Sequence, residues 1–117
     1  MLEGATVVVR RGEQYLVLHR AVHDHDGDWA WGPPGGLRDE GETYEQTAAR
    51  ELLEETGLDL PLTLVQAGPW TTFVAEAPAD ADVVLSHEHD RCEWLPLEDA
   101  CVRCLPDVVA AGIRAAS

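Results

Sequence analysis

Three glutamates within one short segment, Glu51, Glu54 and Glu55, are the residues of this sequence best suited to chemistry. In a helix, where each residue adds about 100° of rotation, their side chains occupy one stripe. Like charges at this spacing repel one another and cost a few tenths of a kcal/mol per pair. A solvated acidic face is one explanation. A site that binds cations is the other, because bound positive charge would offset the repulsion.

The residues before this segment add further oxygen ligands. Pro33, Pro34, Gly35 and Gly36 can turn the backbone tightly and leave carbonyl groups unpaired, and Glu42 follows shortly after. Carboxylate and carbonyl oxygens are hard ligands, which Mg²⁺ and Mn²⁺ prefer. The sequence therefore favours Mg²⁺, or Mn²⁺ in its place, as a cofactor.

A helix over residues 44–56 is the element that must position the three glutamates. Thr43, followed three positions later by Gln46, matches a capping box at its start, and Gly57 is placed for a left-handed cap at its end. The positions opposite the glutamates are apolar, so we expect them to face the core and the glutamates to point away from it. These apolar positions are Ala49, Leu52 and Leu53.

Several further segments have the β-branched or alternating patterns of strands. They are residues 5–10, 14–20, 29–31, 70–76, 82–86 and 91–96. The first two predict a hairpin, the Gly/Pro-rich residues 32–36 are expected to break regular structure, and a second helix is predicted from Pro106 to Ala116. Mixed strands with two helices predict an α/β sandwich.

The segment from residue 36 to residue 58 resembles the signature of the Nudix family. That signature, the Nudix box, is a glycine, five residues, a glutamate, seven residues, and then Arg-Glu-apolar-any-Glu-Glu-any-Gly-apolar. Its nine specified positions are all filled here, by Gly36, Glu42, Arg50, Glu51, Leu52, Glu54, Glu55, Gly57 and Leu58. The later segment SHEHDRCEWLPLEDA, residues 86–100, is similar to an acidic, Trp-containing segment that many members carry near their end.

The resemblance implies an α/β/α sandwich around a mixed β-sheet. It also implies hydrolysis of a nucleoside diphosphate linked to another group, with nucleoside triphosphates and dinucleoside polyphosphates as the expected substrates. By the same resemblance, Glu51, Glu54 and Glu55 would bind the divalent ions, helped by the backbone carbonyl of Gly35. Such ions neutralise a pyrophosphate linkage and activate a bound water for attack on phosphorus.

The other positions of the box have supporting roles in this interpretation. Arg50 would hold the glutamates in position, Glu42 would support the loop, and Gly57 would let the helix end. Arg50 is one helical turn before Glu54, close enough for a charge-assisted hydrogen bond. Either Glu51 or Glu54 would accept the proton of the attacking water, and the sequence does not choose between them.

Residues outside the box are candidates for further contacts. Glu88 is a candidate ligand from the distal loop, although a surface glutamate is the alternative. Trp70 and Phe73 are candidates for stacking on a base, although large aromatic residues commonly belong to the core. His19 and Arg20 end a predicted strand that faces the box in the implied topology, where they could contact phosphate.

Composition limits the partners of the protein. The net charge is −14 and all eight basic residues are arginines, which argues against a broad grip on nucleic acid. The 117 residues suit one domain, residues 1–117, acting as a monomer or homodimer on a small nucleotide. No apolar run approaches the length of a membrane span, and the start lacks a secretory signal, so we expect a cytoplasmic protein that does not bind membranes.

Two other classes of function fit parts of the sequence. Cys92, Cys101 and Cys104, with His87 and His89 upstream, could form a structural zinc site in an interaction module, although a single CXXC pair is a weak signal and buried cysteines are the simpler explanation. A domain of this kind could also bind a nucleotide without cleaving it, as a sensor. The intact glutamates argue against a sensor, because a protein that only binds has no need of them.

Overall fold

A computed structural model describes residues 2–117. Within this range the chain forms seven strands and three helices. In chain order these are β1 (Gly4–Arg11), β2 (Gln14–Arg20), β3 (Trp31–Gly32), β4 (Gly35–Leu37), α1 (Tyr44–Thr56), β5 (Thr63–Gln66), β6 (Trp70–Glu76), β7 (His89–Pro96), α2 (Leu97–Arg103) and α3 (Asp107–Ala115).

The sheet is built around β1, which pairs with three other strands. It runs parallel to β6 along its length and antiparallel to β4 at one end and to β2 at the other. β2 pairs antiparallel with β7 over its whole length and with β3 near its end, and β5 adds to the far side of β6. The sheet is therefore mixed, and the predicted hairpin of the first two strands is confirmed.

Helices cover both faces of this sheet. On one face, Val7 and Leu18 pack with Leu52 of α1 in one of two core clusters. On the other face, Val8 and Val17 pack with residues of α2 and α3. Neighbouring residues of a strand point to opposite faces, so each central strand contributes to both cores. The predicted α/β/α sandwich around a mixed sheet is confirmed.

Two predicted strands differ in the structure. Residues 82–86 form no strand: Val83 and Leu85 pack against the core, which explains the alternation, but the N–H of Val84 donates to the carbonyl of Thr56 rather than to a neighbouring strand. The strand expected at 29–31 begins only at Trp31 and continues to Gly32. In residues 82–86 the pattern reflected burial rather than ladder pairing, and in residues 29–31 Trp29 is exposed with a positive φ of 66°, so the strand starts after it.

Three elements were not predicted. Gly35–Leu37 forms β4, although residues 32–36 were expected to break regular structure. Glycine lets this backbone lie against β1, since a Cβ on Gly35 would be 2.4 Å from the carbonyl oxygen of Ala5. Strand β5 and helix α2 are short elements with weak local patterns. The C-terminal helix was predicted within one residue at each end, with Pro106 as its N-cap.

The described part of the chain, residues 2–117, contains no helix long and apolar enough to cross a membrane.

Candidate active site

Helix α1 is fixed at both ends by its own sequence. At its start the side chain of Thr43 accepts from the N–H of Gln46 at 3.1 Å, and the Gln46 side chain accepts from the N–H of Thr43 at 2.8 Å. At its end Gly57 adopts φ 75°, and its N–H donates to the carbonyl of Leu53 at 2.9 Å. The helix therefore runs over residues 44–56, as predicted, and presents its side chains in a defined rotation.

That rotation differs from the one expected. Leu52 is buried as predicted, but Ala49 and Leu53 are exposed, and the buried positions of the helix include Ala48 and Glu55. Residues 48, 52 and 55 lie on one helical face, so one of the three glutamates shares the core-facing side. The expectation that all three glutamates point away from the core was wrong.

Arg50 binds the glutamate of the preceding loop through two hydrogen bonds. Its Nε donates to Glu42 Oε2 at 2.8 Å and its Nη2 donates to Glu42 Oε1 at 2.9 Å. Glu42 also accepts from the Asp39 N–H and from the Thr47 hydroxyl. These bonds, Arg50 first among them, lower the pKa of Glu42 from 4.5 to about 2. Glu42 is therefore a fully paired carboxylate that ties the loop to the helix.

The same guanidinium also contacts two of the helix glutamates. Arg50 Nη1 donates to Glu51 Oε1 at 2.9 Å and lies 3.4 Å from the carboxylate of Glu54. Its Nη2 donates to the carbonyl of Leu37 at 3.1 Å. The Glu54 side chain is 54% exposed and only loosely held. One arginine thus orients Glu51 and leaves Glu54 free to reach outward.

Glu55 is a buried carboxylate with little compensation. It is 5% exposed, and its Oε1 accepts from the N–H of Gly35 at 2.8 Å. Burial is the main cause that raises its pKa from 4.5 to about 8, and the nearby carboxylates of Glu51 and Glu88 raise it further. In the metal-free protein this position disfavours negative charge.

Glu51 lies in a hollow that exists because residue 36 has no side chain. A Cβ on Gly36 would be 2.5 Å from the Glu51 carboxyl carbon and within 2.7 Å of both of its oxygens. Burial raises the pKa of Glu51, and the charges of Glu54 and Glu88 act in the same direction. Glycine at position 36 is therefore required for the position of this carboxylate.

Two residues from other elements face this cluster. The carboxylate of Glu88, which precedes β7, is near enough to raise the pKa of both Glu51 and Glu55. The Arg20 guanidinium, at the exposed end of β2, acts in the opposite direction on Glu55. The structure thus brings Glu88 and Arg20 to the side of the sheet that carries α1.

The other residues considered for substrate contact lie in different surroundings. Phe73 is 4% exposed in the core, so it has no free face for a base, and that expectation was wrong. Trp70 is 42% exposed at the start of β6, with its Nε1–H donating to the Thr6 hydroxyl at 2.7 Å. His19 is buried and bonded to Asp90, so it is not available to phosphate.

The cysteines do not assemble a zinc site. Cys101 and Cys104 are buried in the core between the sheet and the two later helices, and burial raises the pKa of the Cys104 thiol to about 12. Cys92 packs against the opposite core. The sheet therefore separates it from the other two thiols, which behave as small apolar residues.

The acidic cluster suits a hard divalent cation. Its donors are carboxylate oxygens, two of them on glutamates whose pKa values are raised mainly by burial and further by neighbouring carboxylates. Across residues 2–117 no three His, Cys, Asp or Glu side chains already converge as a complete metal site. A partial ligand set fits Mg²⁺, which keeps several waters and is commonly bound through one or two carboxylates together with substrate phosphates.

Sequence reasoning missed two residues around this cluster and considered a third only for the zinc site. Thr47 donates its hydroxyl to Glu42, and Asp90 accepts from His19. Thr47 lies inside the box at an unspecified position, and no local pattern distinguishes Asp90 within the HEHD run. His89, considered for zinc, has a buried Nδ1 with no hydrogen-bond partner in the described chain.

The NUDIX domain model matches residues 2–114. A sandwich of this form, with the complete box running from β4 through the first helix, defines the class, and the chain belongs to the NUDIX family. Members of this family generally use divalent metal ions.

Two of the relatives are named as enzymes that act on nucleotides. The putative 8-oxo-dGTP diphosphatase 3 of Mycobacterium tuberculosis is 39% identical over 94 residues, which are 68% of this chain and 43% of that protein. The asymmetrical bis(5'-nucleosyl)-tetraphosphatase of Rattus norvegicus is 36% identical over 103 residues, 75% of this chain and 67% of that protein. The chain thus spans less than half the length of the mycobacterial relative.

Solved structures agree with the fold over nearly the whole chain. A C. elegans Ap4A hydrolase in a binary complex has a TM-score of 0.81 at 27% identity and covers 98% of this chain and 94% of its own. The E. coli dihydroneopterin triphosphate pyrophosphohydrolase has a TM-score of 0.83 at 24% identity, with 96% and 92% covered. The second likeness concerns the fold alone.

Proposed function

We propose that residues 1–117 form a single Nudix hydrolase domain that cleaves the pyrophosphate linkage of a nucleoside diphosphate derivative. The proposed substrates are nucleoside triphosphates or dinucleoside polyphosphates, and the proposed cofactor is Mg²⁺ or Mn²⁺. The names of the mycobacterial and rat relatives fall in these two substrate classes, which supports the proposal.

The observation that carries this proposal is the buried carboxylate of Glu55. A glutamate that is 5% exposed, with a pKa of about 8 and two other glutamates beside it, adds no stability to the metal-free fold. A divalent cation would supply the charge that this cluster lacks. A purely structural role would require a partner such as the one that Glu42 has in Arg50.

Glu51, Glu54 and Glu55 would hold the metal, with Glu88 as a further ligand and the Gly35 carbonyl beside them. When bound, the metal neutralises charge on the phosphoryl oxygens and lowers the pKa of a bound water. Glu51 or Glu54 would accept the proton of that water. Arg50 contacts both side chains and would fix their direction.

Two exposed residues would contact the substrate in this proposal. Arg20 is the basic residue outside the box whose charge reaches Glu55, so it is placed to contact a phosphate near the cluster. Trp70 keeps part of its indole exposed beside β1, which suits stacking on a base. Both contacts would affect KM more than kcat.

A screen of nucleoside diphosphate derivatives with Mg²⁺ tests the proposal. We expect turnover of at least one nucleoside triphosphate or dinucleoside polyphosphate, its loss in EDTA and its recovery with Mg²⁺ or Mn²⁺. In isotopically labelled water the label should appear on a phosphate product. Label on a sugar carbon, full activity in chelator, or binding without turnover would each contradict the hydrolase, and the last would instead support a sensor.

A further inference from the structure

Strand β7 has a β-bulge near its first residue, where one of its residues has no partner in the neighbouring strand β2. His19 of β2 pairs with Arg91, but the next residue, Arg20, pairs with His89. Asp90 therefore has no partner across the ladder, and the register shifts at this position. Such bulges are common beside active sites, where they change the direction of neighbouring side chains.

The extra residue is held by a buried histidine. The Nδ1–H of His19 donates to Asp90 Oδ1 at 2.7 Å, and the imidazole is 1% exposed. Its Nε2 lies 3.3 Å from the backbone oxygen of His25, and its ring lies edge-on to Trp31 with centroids 5.0 Å apart. His19 thus joins β2, the loop between β2 and β3, and the bulge of β7.

The residues on either side of this junction are those that face the glutamates of α1. The N–H of Arg20 donates to the carbonyl of Ala30, and the N–H of Ala21 donates to the carbonyl of Glu88, both at 2.9 Å. If Asp90 were paired in regular register, Arg20 would lie opposite Asp90, and Glu88 would lie one position further along the ladder. The bulge therefore sets which residue of β7 lies beside Arg20 and where Glu88 begins.

We propose that the hydrogen bond between His19 and Asp90 is a positioning device, which holds Glu88 and Arg20 at the distance from α1 that metal and phosphate binding require. The inference rests on the proposed function. His19 and Asp90 are positioning residues, because they act through Glu88 and Arg20 and touch no substrate themselves. A bond that only stabilises the fold would affect stability and leave metal affinity unchanged.

Asp90→Ala is the first test, because the Asp90 side chain is half exposed and its truncation leaves the core intact. We expect the affinity for Mn²⁺, measured without substrate by water proton relaxation, to fall roughly tenfold, as is typical when a partner behind a metal ligand is removed. Asp82→Ala, an exposed acid in the connection between β6 and β7, is the matched control and should bind Mn²⁺ as the wild type does.

Two replacements of His19 separate its two hydrogen bonds. The amide nitrogen of asparagine occupies the place of Nδ1, so His19→Asn keeps a donor for Asp90, whereas His19→Gln places its donor near Nε2 and keeps only the bond to His25. We expect His19→Asn to retain more Mn²⁺ affinity than His19→Gln. Equal Mn²⁺ affinities for the two folded variants would contradict the proposal.

A double-mutant cycle with Glu88 completes the test. If Asp90 acts through Glu88, the Mn²⁺ affinity of Asp90→Ala/Glu88→Gln should equal that of Glu88→Gln alone, and a purely additive loss would overturn the proposal. Wild-type Mn²⁺ affinity in Asp90→Ala would also overturn it. These measurements need no turnover, so they judge the positioning device even if the substrate screen contradicts the hydrolase.

Discussion

The loop before α1 and the last turn of α1 each contain a glutamate of the box, in opposite electrostatic states. Glu42 in the loop accepts two bonds from Arg50, and its pKa is about 2. Glu55 in the last turn is buried with one backbone N–H, and its pKa is about 8. The first carboxylate is paired with an arginine of the protein itself, whereas the second accepts one backbone N–H and is the one that we propose binds a metal ion.

This difference supports the proposal that one motif contains a structural glutamate, Glu42, and a metal-binding glutamate, Glu55. A sequence pattern specifies both glutamates equally, but only the surroundings show which one stabilises the metal-free fold. Replacing each by glutamine should therefore change stability in opposite directions. Glu42→Gln should lower the thermal midpoint in EDTA, and Glu55→Gln should leave it unchanged or raise it.

The largest expected effect is on turnover in Glu55→Gln. Loss of a ligand charge should lower kcat/KM about a thousandfold, on the order of 4 kcal/mol of barrier. The amide oxygen can still accept from Gly35, so the fold is kept. Added Mg²⁺ should also stabilise the variant less than the wild type in thermal unfolding.

Glu45→Gln is the matched control for this prediction, since Glu45 is exposed on the first turn of the same helix. It should keep wild-type turnover and the wild-type response to Mg²⁺. If Glu55→Gln instead melts several degrees lower in EDTA yet responds to Mg²⁺ as the wild type does, Glu55 has a structural role like that of Glu42. The contrast between the two glutamates would then be wrong.

Gly36→Ala tests the hollow that holds Glu51. The added methyl would lie 2.5 Å from the Glu51 carboxyl carbon, so the side chain must move. We expect kcat/KM to fall about a hundredfold, with a higher Mg²⁺ concentration needed for half-maximal activity. Gly112→Ala is the control, because its nearest contact would be 3.9 Å away. Unchanged kinetics in Gly36→Ala would mean that the position of Glu51 in this hollow is not needed.

A smaller effect is expected at Glu88, which faces the cluster from outside the helix. Glu88→Gln should lower turnover about tenfold, or 1.4 kcal/mol of barrier, if the carboxylate is a ligand. Steady-state rates across a range of Mg²⁺ concentrations measure this. Wild-type kinetics would place Glu88 among ordinary surface residues.

The pH dependence of stability should show the smallest effect, on the order of 1 kcal/mol. Folded Glu55 keeps its proton up to about pH 8, whereas the unfolded chain releases it near 4.5, so unfolding releases a proton between these values. Stability in EDTA should therefore fall as pH rises from 6 to 8, and this fall should be smaller in Glu55→Gln. Urea unfolding at several pH values measures it. For Glu42 the sign is reversed, with its contribution lost as pH falls below about 4.5.

Local signals were enough to predict helix α1, the first hairpin and the C-terminal helix. The capping box at Thr43 and the glycine at position 57 depend only on residues within one turn of the helix, so both helix ends can be predicted from the local sequence. Whether residues 35–37 and 82–86 form strands depends on which distant part of the backbone lies beside them. That depends on packing between segments far apart in sequence, which no local pattern contains.

Some features of the candidate site could likewise be predicted from the local sequence, and others could not. The box residues follow from motif spacing, and the contacts of Arg50 agree with the supporting role proposed for it. The burial of Glu55 did not follow, because Leu53 was taken as a core residue for being apolar, and it is exposed. Asp90 was missed because a shift in strand register leaves no trace in a single strand.

The parallel pairing of β1 with β6 has a consequence for how the chain folds. Gly4 pairs with Trp70 and Arg10 with Glu76, so β1 must wait until residue 76 has been synthesised before its longest ladder can form. The ladder between β2 and β7 can form only later still, because β7 follows β6 in the chain. Contacts of such sequence separation slow folding toward milliseconds to seconds. Until then the apolar run from Val7 to Val9 is exposed, so the nascent chain should be most prone to aggregation before residue 76 has emerged.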